Sequence, residues 1–382
     1  MKIKYLIICA IAFSLIACEN QENEFDDFGS TSVYFPFQTP VRTLIQGKYD
    51  LGFNENDNNG RFEIGVIMSG VYNNNKNRRV YFELAPELID ASQLAGVESV
   101  NVKVLPASYY TIEQESPVTI PSGSTKGRIP VQLTDAFFDD PLSFVAEKDS
   151  VNYVLPLRIT DYEELDSLLT GVPAVDNPIK IREVDWQTQP KDYTLFGIKF
   201  MNKYEGMYLR RGEDKIVGTN EKFTAATNIT ETTVIDTSSV YRSEFVEKDE
   251  VTEVLTAGRK KAISTNLVRR AGIPSNNTVS LELTFNDNEE ITITNADADS
   301  DVTITGSGRF LEDGDEWGGE ERDVIYLEYQ YQDTEIVEEY LFGIILVSRS
   351  TLDLTHTVKD TLVIRDRNVK FEEFIVELKE TP

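Results

Sequence analysis

Asp323-Val-Ile-Tyr-Leu-Glu-Tyr-Gln-Tyr331 is the stretch on which the fold turns. Aromatic and β-branched residues fill it, no glycine or proline interrupts it, and a period of two sets Tyr326 on the face opposite Ile325 and Leu327. It reads as a strand. Similar short runs occur at 232–235, 278–285, 290–294, 302–304 and 361–365, and Phe285-Asn-Asp-Asn-Glu289 reads as a hairpin turn between two of them. Sequential antiparallel strands over residues 193–382 predict an up-and-down β-barrel, with a second sandwich as the competing choice.

Towards the N-terminus the same pattern continues at 32–37, 60–68, 79–84, 109–112, 117–120, 127–133 and 153–159, and no long helical period appears. The number and spacing of these runs suit an immunoglobulin-like sandwich over 30–160. Pro36, Pro130 and Pro156 must then sit on edges or at bulges, because proline has no N–H to give to a ladder. Residues 161–192, less apolar and carrying Gly171, Pro173, Pro178 and Pro190, read as an interdomain linker. The expected fold class is therefore all-β: a sandwich followed by a barrel.

Residues 1–17 pair Lys2 and Lys4 with a short apolar run, the pattern of a secretory signal peptide and too short for an ordinary membrane span. The run ends in Leu15-Ile-Ala-Cys18, which resembles the bacterial lipobox, so Cys18 is the expected lipidation site. A thiolate is the nucleophile that chemistry needs. Several acyl chains hold a protein lastingly on a membrane, whereas one holds it marginally. Residues 18–29 are an acidic tether; Glu19, Glu22, Glu24, Asp26 and Asp27 resemble the export signal of surface-displayed Bacteroidetes lipoproteins. The expected location is the outer membrane, facing outward.

Composition removes whole classes of chemistry. Cys9 and Cys18 are the only cysteines, one in the leader and one expected to be lipidated, which leaves no thiol nucleophile and no disulfide. The single histidine, His356, would share a strand face with Leu352, Leu354 and Val358, and is better read as packed than as catalytic. A net charge of −28 repels nucleic acid and anionic lipid and favours neutral ligands or cations.

Several motifs carry a family resemblance. Leu105-Pro-Ala-Ser-Tyr-Tyr-Thr-Ile112, Val118-Thr-Ile-Pro-Ser-Gly-Ser-Thr-Lys-Gly127 and Tyr153-Val-Leu-Pro-Leu-Arg-Ile159 resemble an uncharacterised immunoglobulin-like domain of Bacteroidetes surface lipoproteins, found also ahead of family-18 glycoside hydrolase modules. Lys199-Phe-Met-Asn-Lys-Tyr-Glu-Gly-Met-Tyr-Leu-Arg-Arg-Gly212, Gly306-Ser-Gly-Arg-Phe310, Trp317-Gly-Gly-Glu320 and Asp360-Thr-Leu-Val-Ile-Arg-Asp-Arg367 resemble the lipocalin-like domain that follows it in such proteins. The resemblance implies a component of a polysaccharide-utilisation locus, working beside a Sus-type transporter. It brings no catalytic or binding residues with it.

Three motifs bear on ligands. Asp297, Asp299 and Asp301 alternate as in a Ca²⁺ loop, but Val302 stands where an EF-hand needs glycine and no glutamate follows at the right distance, so a solvated turn is preferred. The asparagines of 54–60 and 73–77 offer amide hydrogen bonds to sugar hydroxyls, yet they are also what ordinary turns demand. The loop 311–322 places Trp317 among Asp313, Asp315 and glycines, where an aromatic face can stack on sugar C–H groups and Tyr326 can support it from the next strand. Against this, large aromatics are usually mostly buried, which favours a tryptophan tucked over the barrel end. The sequence thus predicts a non-catalytic glycan-binding lipoprotein without cofactor or metal, the alternative being a structural or adhesive surface protein.

Overall fold

The computed structural model describes residues 27–48, 54–89, 97–99, 101–144, 151–269, 279–300, 302–367, 369 and 371–380. The leader, Cys18, most of the acidic tether and Asp301 lie outside the described residues. In chain order the first domain contributes β1 (Ser32–Tyr34), β2 (Pro40–Ile45), β3 (Arg61–Ser69), β4 (Arg78–Leu84), β5 (Val97–Ser99), β6 (Lys103–Val104) and β7 (Tyr110–Ile112). It continues with β8 (Val118–Ile120), β9 (Lys126–Leu133), β10 (Tyr153–Glu163), β11 (Ser167–Leu168), β12 (Val172–Pro173), β13 (Trp186–Thr188) and β14 (Tyr193–Met201).

One sheet has the order β11-β1-β3-β9-β7. The other runs β2-β14-β10-β4-β8, with β6 also against β10. Alternate residues of both sheets, among them Val33, Phe62, Ile64, Val66 and Ile129 from one and Leu44, Val80, Phe82, Ile198 and Phe200 from the other, meet in a common core. Burying these faces drives the two layers together.

Pro130 and Pro156 do not stand on edge strands, since β9 and β10 are both interior to their sheets. The Pro130 carbonyl accepts from Glu113 N–H just past Ile112, the last residue of β7, and the Pro156 carbonyl accepts from Ala85 N–H just past Leu84, the last residue of β4. Backbone N–H and C=O of one strand residue point the same way. Each missing N–H therefore faces a side where the neighbouring strand has already ended, while Pro36 lies outside any strand.

The second domain comprises β15 (Gly206–Thr224), β16 (Ile229–Tyr241), β17 (Glu250–Gly258), β18 (Lys261–Ser264), β19 (Leu281–Phe285) and β20 (Glu290–Asn295). It ends with β21 (Ile304–Trp317), β22 (Glu320–Leu341) and β23 (Ile345–Asp366). Each strand from β17 to β23 pairs antiparallel with the next, and both β17 and β23 pair with β15, which closes an eight-stranded ring. Closure removes sheet edges, as an up-and-down barrel requires. The Asn286–Glu289 turn joins β19 to β20 as a hairpin, with Glu289 at φ 62.

Above the ring, β16, β15, β23 and the distal half of β22 continue as a four-stranded blade. Tyr204, Tyr208, Phe285, Phe310 and Ile325 belong to the apolar core of the barrel. Where the ring passes into the blade, the interior turns polar. Buried Arg210 is paired with buried Asp360, and His356 donates or accepts at 2.8 Å with Asp214 and stacks on Tyr331. Leu352, Leu354, His356 and Val358 do share one buried face, and the histidine is packed among them.

The domain boundary differs from the sequence expectation at both ends. Residues 161–192 are built into the sandwich: Asp166 accepts from Thr31 N–H at 2.6 Å, Ser167 and Leu168 pair with Ser32 and Val33, and Lys191 C=O accepts from Phe35 N–H. β14 is a central strand of the sandwich and not the first of the barrel. After the barrel the chain comes back: β24 (Glu372–Glu373) pairs with β2, and β25 (Leu378–Glu380) with β5. The barrel is therefore inserted between β14 and β24 of the sandwich. Polar residues with prolines suggested a linker, but backbone pairing had taken them up.

Candidate functional site

The returning segment builds one wall of a cleft. Phe374 turns inward and is buried with Val41, Val154, Tyr193 and Leu195 on the outer side of the second sheet, and its N–H donates to Thr39 C=O at 3.1 Å. Alternation along the segment then points Ile375 outward, 82% exposed. Between this segment and residues 181–189 lies a cleft of about 690 Å³, within the usual range of small-molecule sites of about 300 to 1,000 Å³. Gln38, Thr39, Arg182, Glu183, Gln189 and Glu373 supply its polar groups. Among the described residues Arg182, Glu183 and Glu373 form no ion pair, so their charged ends are available. Burial, reinforced by the nearby Asp192, pushes the Tyr193 phenol well up, so it presents a neutral ring.

On the other side of β2 is an apolar groove of about 280 Å³, walled by Phe35, Pro36, Ile64, Phe196 and Phe371. Thr194 Oγ1 is buried at this groove and has no hydrogen-bond partner among the described residues. Phe37 and Phe371 stand at the rim, 44% and 63% exposed, with ring centroids 5.1 Å apart and planes at 49°. Exposed aromatic carbon kept side by side is a costly surface unless something covers it. The two exposed rings line the groove, and the amides and charges line the cleft; Gln38 and Glu373 follow Phe37 and Phe371 by one and two residues.

Of the four residues expected to hold a glycan, Tyr326 is not brought to the other three. Trp317 ends β21 at the Gly318–Gly319 turn and is half-buried; the Arg322 guanidinium covers its ring at 4.3 Å from the centroid. Arg322 is held there by the carbonyls of Trp317 and Arg365. Asp313 is engaged by Lys48 of the sandwich at 2.6 Å, which makes this loop part of the contact between domains. Asp315 is exposed and lies opposite Arg322 in the strand register. Tyr326 does face away from Ile325 and Leu327, but it sits six residues along β22 from Glu320, the partner of Trp317, a span of about 20 Å at strand rise.

The other sequence motifs are structural. Asn74 is buried and donates to Pro121 and Ser124 carbonyls while accepting from Arg78, and Asn54 donates to the Gly47 carbonyl. Asp297 accepts from Asp299 N–H at 3.0 Å and closes its own turn. Sequence reasoning passed over Phe37 and Phe371. Phe37 was visible as the end of an aromatic run with Pro36, but nothing marked Phe371, which reaches the site only through the return of the chain.

Residues 203–368 match a family described as a domain of unknown function, DUF5627, and residues 26–166 match one described as an N-terminal domain. No curated protein matches the sequence. The fold as a whole is similar to the crystal structure of a Bacteroides ovatus protein of unknown function, 28% identical, with 93% of this chain and 100% of that one covered and a TM-score of 0.72. An auxiliary nutrient-binding protein from Bacteroides thetaiotaomicron is 13% identical over 85% of this chain and 90% of its own, with a TM-score of 0.34, too low to carry an argument. The chain is thus an all-β protein with a barrel inserted in a sandwich. The protein it resembles in fold over its whole length comes from Bacteroides ovatus and is of unknown function.

Proposed function

We propose that this chain is a non-catalytic surface lipoprotein, anchored in the outer membrane through Cys18, that binds a neutral poly- or oligosaccharide for a Sus-type uptake system. The observation that carries this reading is the exposed Phe37–Phe371 pair at the rim of an apolar groove, one and two residues in sequence from Gln38 and Glu373, which line the polar cleft. Phenyl faces cover the C–H faces of a sugar ring, while Gln38, Gln189, Arg182 and the two glutamates offer donors and acceptors to its hydroxyls. Glu183 and Glu373 are both exposed to solvent. The general acid of a glycoside hydrolase usually sits in an apolar pocket, so two solvent-exposed carboxylates favour binding over cleavage.

A glycan array probed with the wild-type chain and with Phe37→Ala and Phe371→Ala tests the reading. Binding to a neutral glycan that both variants lose supports it. No glycan bound by the wild type, or equal binding by both variants, leaves the structural or adhesive alternative. Cys18→Ser should release the protein from membranes; retention with continued acyl labelling would refute the anchor.

A further inference from the structure

The blade has two free edges among the described residues, and they are treated differently. Past Tyr331, β22 pairs only with β23 among the described residues, and its distal part carries Glu338 and Glu339, which accept from Arg349 and Ser348 of β23. Such acids keep an edge from pairing with another strand. β16 is the terminal strand of its sheet, and among the described residues nothing bonds to its outer side over Ile229–Tyr241. Its sequence, Ile-Thr-Glu-Thr-Thr-Val-Ile-Asp-Thr-Ser-Ser-Val-Tyr, has high strand propensity and neither proline nor lysine. Only Glu231 and Asp236 are charged, and Lys215 of the neighbouring strand neutralises Asp236. Ile229, Val234 and Val240 are exposed along it.

We propose that this edge pairs with the same edge of a second copy, joining two blades into one continuous sheet about a twofold axis. Charge and register select that occupant. In an antiparallel pair, opposed residues must both turn their N–H and C=O towards the partner or both away. The two numbers facing each other must therefore be both odd or both even. Centring the axis on Ile235 satisfies this and pairs all of β16: Ile229 with Tyr241, Glu231 with Ser239, and Thr233 with Thr237 of the other copy. No two acids face each other, and Thr–Thr and Thr–Ser pairs are favourable across strands. Moving the centre to Asp236 sets that carboxylate against itself, and moving it to Val234 or Thr233 leaves strand ends unpaired. Closed twofold dimers are the commonest oligomers, and two glycan sites on one dimer would grip a polymer with avidity.

The test is a symmetric disulfide. In the full-length chain, Ile235→Cys should form a dimer on mild oxidation of intact cells, read on non-reducing gels against the wild-type chain, which accounts for Cys9 and Cys18. Thr233→Cys alone should cross-link at least tenfold more slowly, because its own copy lies several residues away, while Thr233→Cys combined with Thr237→Cys should cross-link readily. Adding Thr233→Glu and Thr237→Glu to Ile235→Cys sets carboxylates opposite one another and should suppress the dimer. Cross-linking of Ile235→Cys no faster than the wild type, or equal cross-linking from Val217→Cys on the exposed face of β15, overturns the proposal. Either result would mean that the edge is left open or taken by a different strand.

Discussion

Replacing Asp360 with alanine should unfold the barrel well before the sandwich. Asp360 is buried and accepts four hydrogen bonds: from Arg210 Nε at 3.1 Å and Nη2 at 2.9 Å, from Tyr241 at 2.7 Å and from Tyr329 at 3.0 Å. Arg210, 1% exposed, would keep only the carbonyls of Asn266 and Leu267, the Tyr241 hydroxyl and ring, and Glu250 at 3.9 Å. Breaking a buried pair from one side costs about 3 to 5 kcal/mol, because the remaining charge stays uncompensated. Replacing both members with apolar residues of similar volume, Arg210→Met with Asp360→Leu, should recover most of that loss. The chain has two tryptophans, Trp186 in the sandwich and Trp317 in the barrel. A Trp186→Phe background therefore lets urea unfolding of the barrel be followed by fluorescence on its own. A loss below about 1 kcal/mol for Asp360→Ala, or a double variant as weak as the single one, would refute the reasoning that a charge is stranded.

Three further outcomes follow from the packing. Phe374→Ala should destabilise the sandwich by about 3 to 5 kcal/mol, measured by thermal melting, since a buried ring of the return segment is removed from its cluster; a change near zero would mean the segment does not hold the domain. Gly218→Ala should weaken the blade by about 1 to 3 kcal/mol, because a Cβ there would meet the Asp353 carbonyl oxygen at 2.0 Å; hydrogen exchange in β15 and β23 reads it, and unchanged protection would count against that packing. Burial raises the Glu205 pKa above 4.5, outweighing its hydrogen bonds from Thr256. Its stabilising contribution is then complete below 4.5 and lost as pH rises through the folded value. Relative to wild type, Glu205→Gln should become steadily more stable as pH rises above 4.5, and parallel pH profiles would contradict the shift.

Much of the fold was legible in the sequence because alternation is local. Asp323–Tyr331 showed β22, and the same pattern marked β3, β4, β9 and β10. The inserted arrangement was not legible, since β24 is two residues long and pairs with a strand at the other end of the chain. No periodic signal marks so short a strand. Residues 161–192 misled for the opposite reason: a segment can be polar and proline-bearing and still be held by backbone hydrogen bonds. The loop expected over 311–322 is instead the paired ends of β21 and β22 with a turn only at Gly318–Gly319, and the Arg322 stacking and the Lys48 ion pair that tie it down depend on which strands become neighbours.

The central claim is that the Phe37–Phe371 pair and the cleft lined by Gln38 and Glu373 bind a neutral sugar chain, and calorimetric titration tests it most directly. An array-selected oligosaccharide would be titrated into wild-type protein, Phe37→Ala and Phe371→Ala, at low and at high salt. The account predicts that each variant loses about 1 kcal/mol of affinity or more, in the range of an aromatic contact beyond burial, with melting temperatures nearly unchanged and little dependence on salt. Unaltered affinity in both variants, or binding that vanishes at high salt, would contradict it.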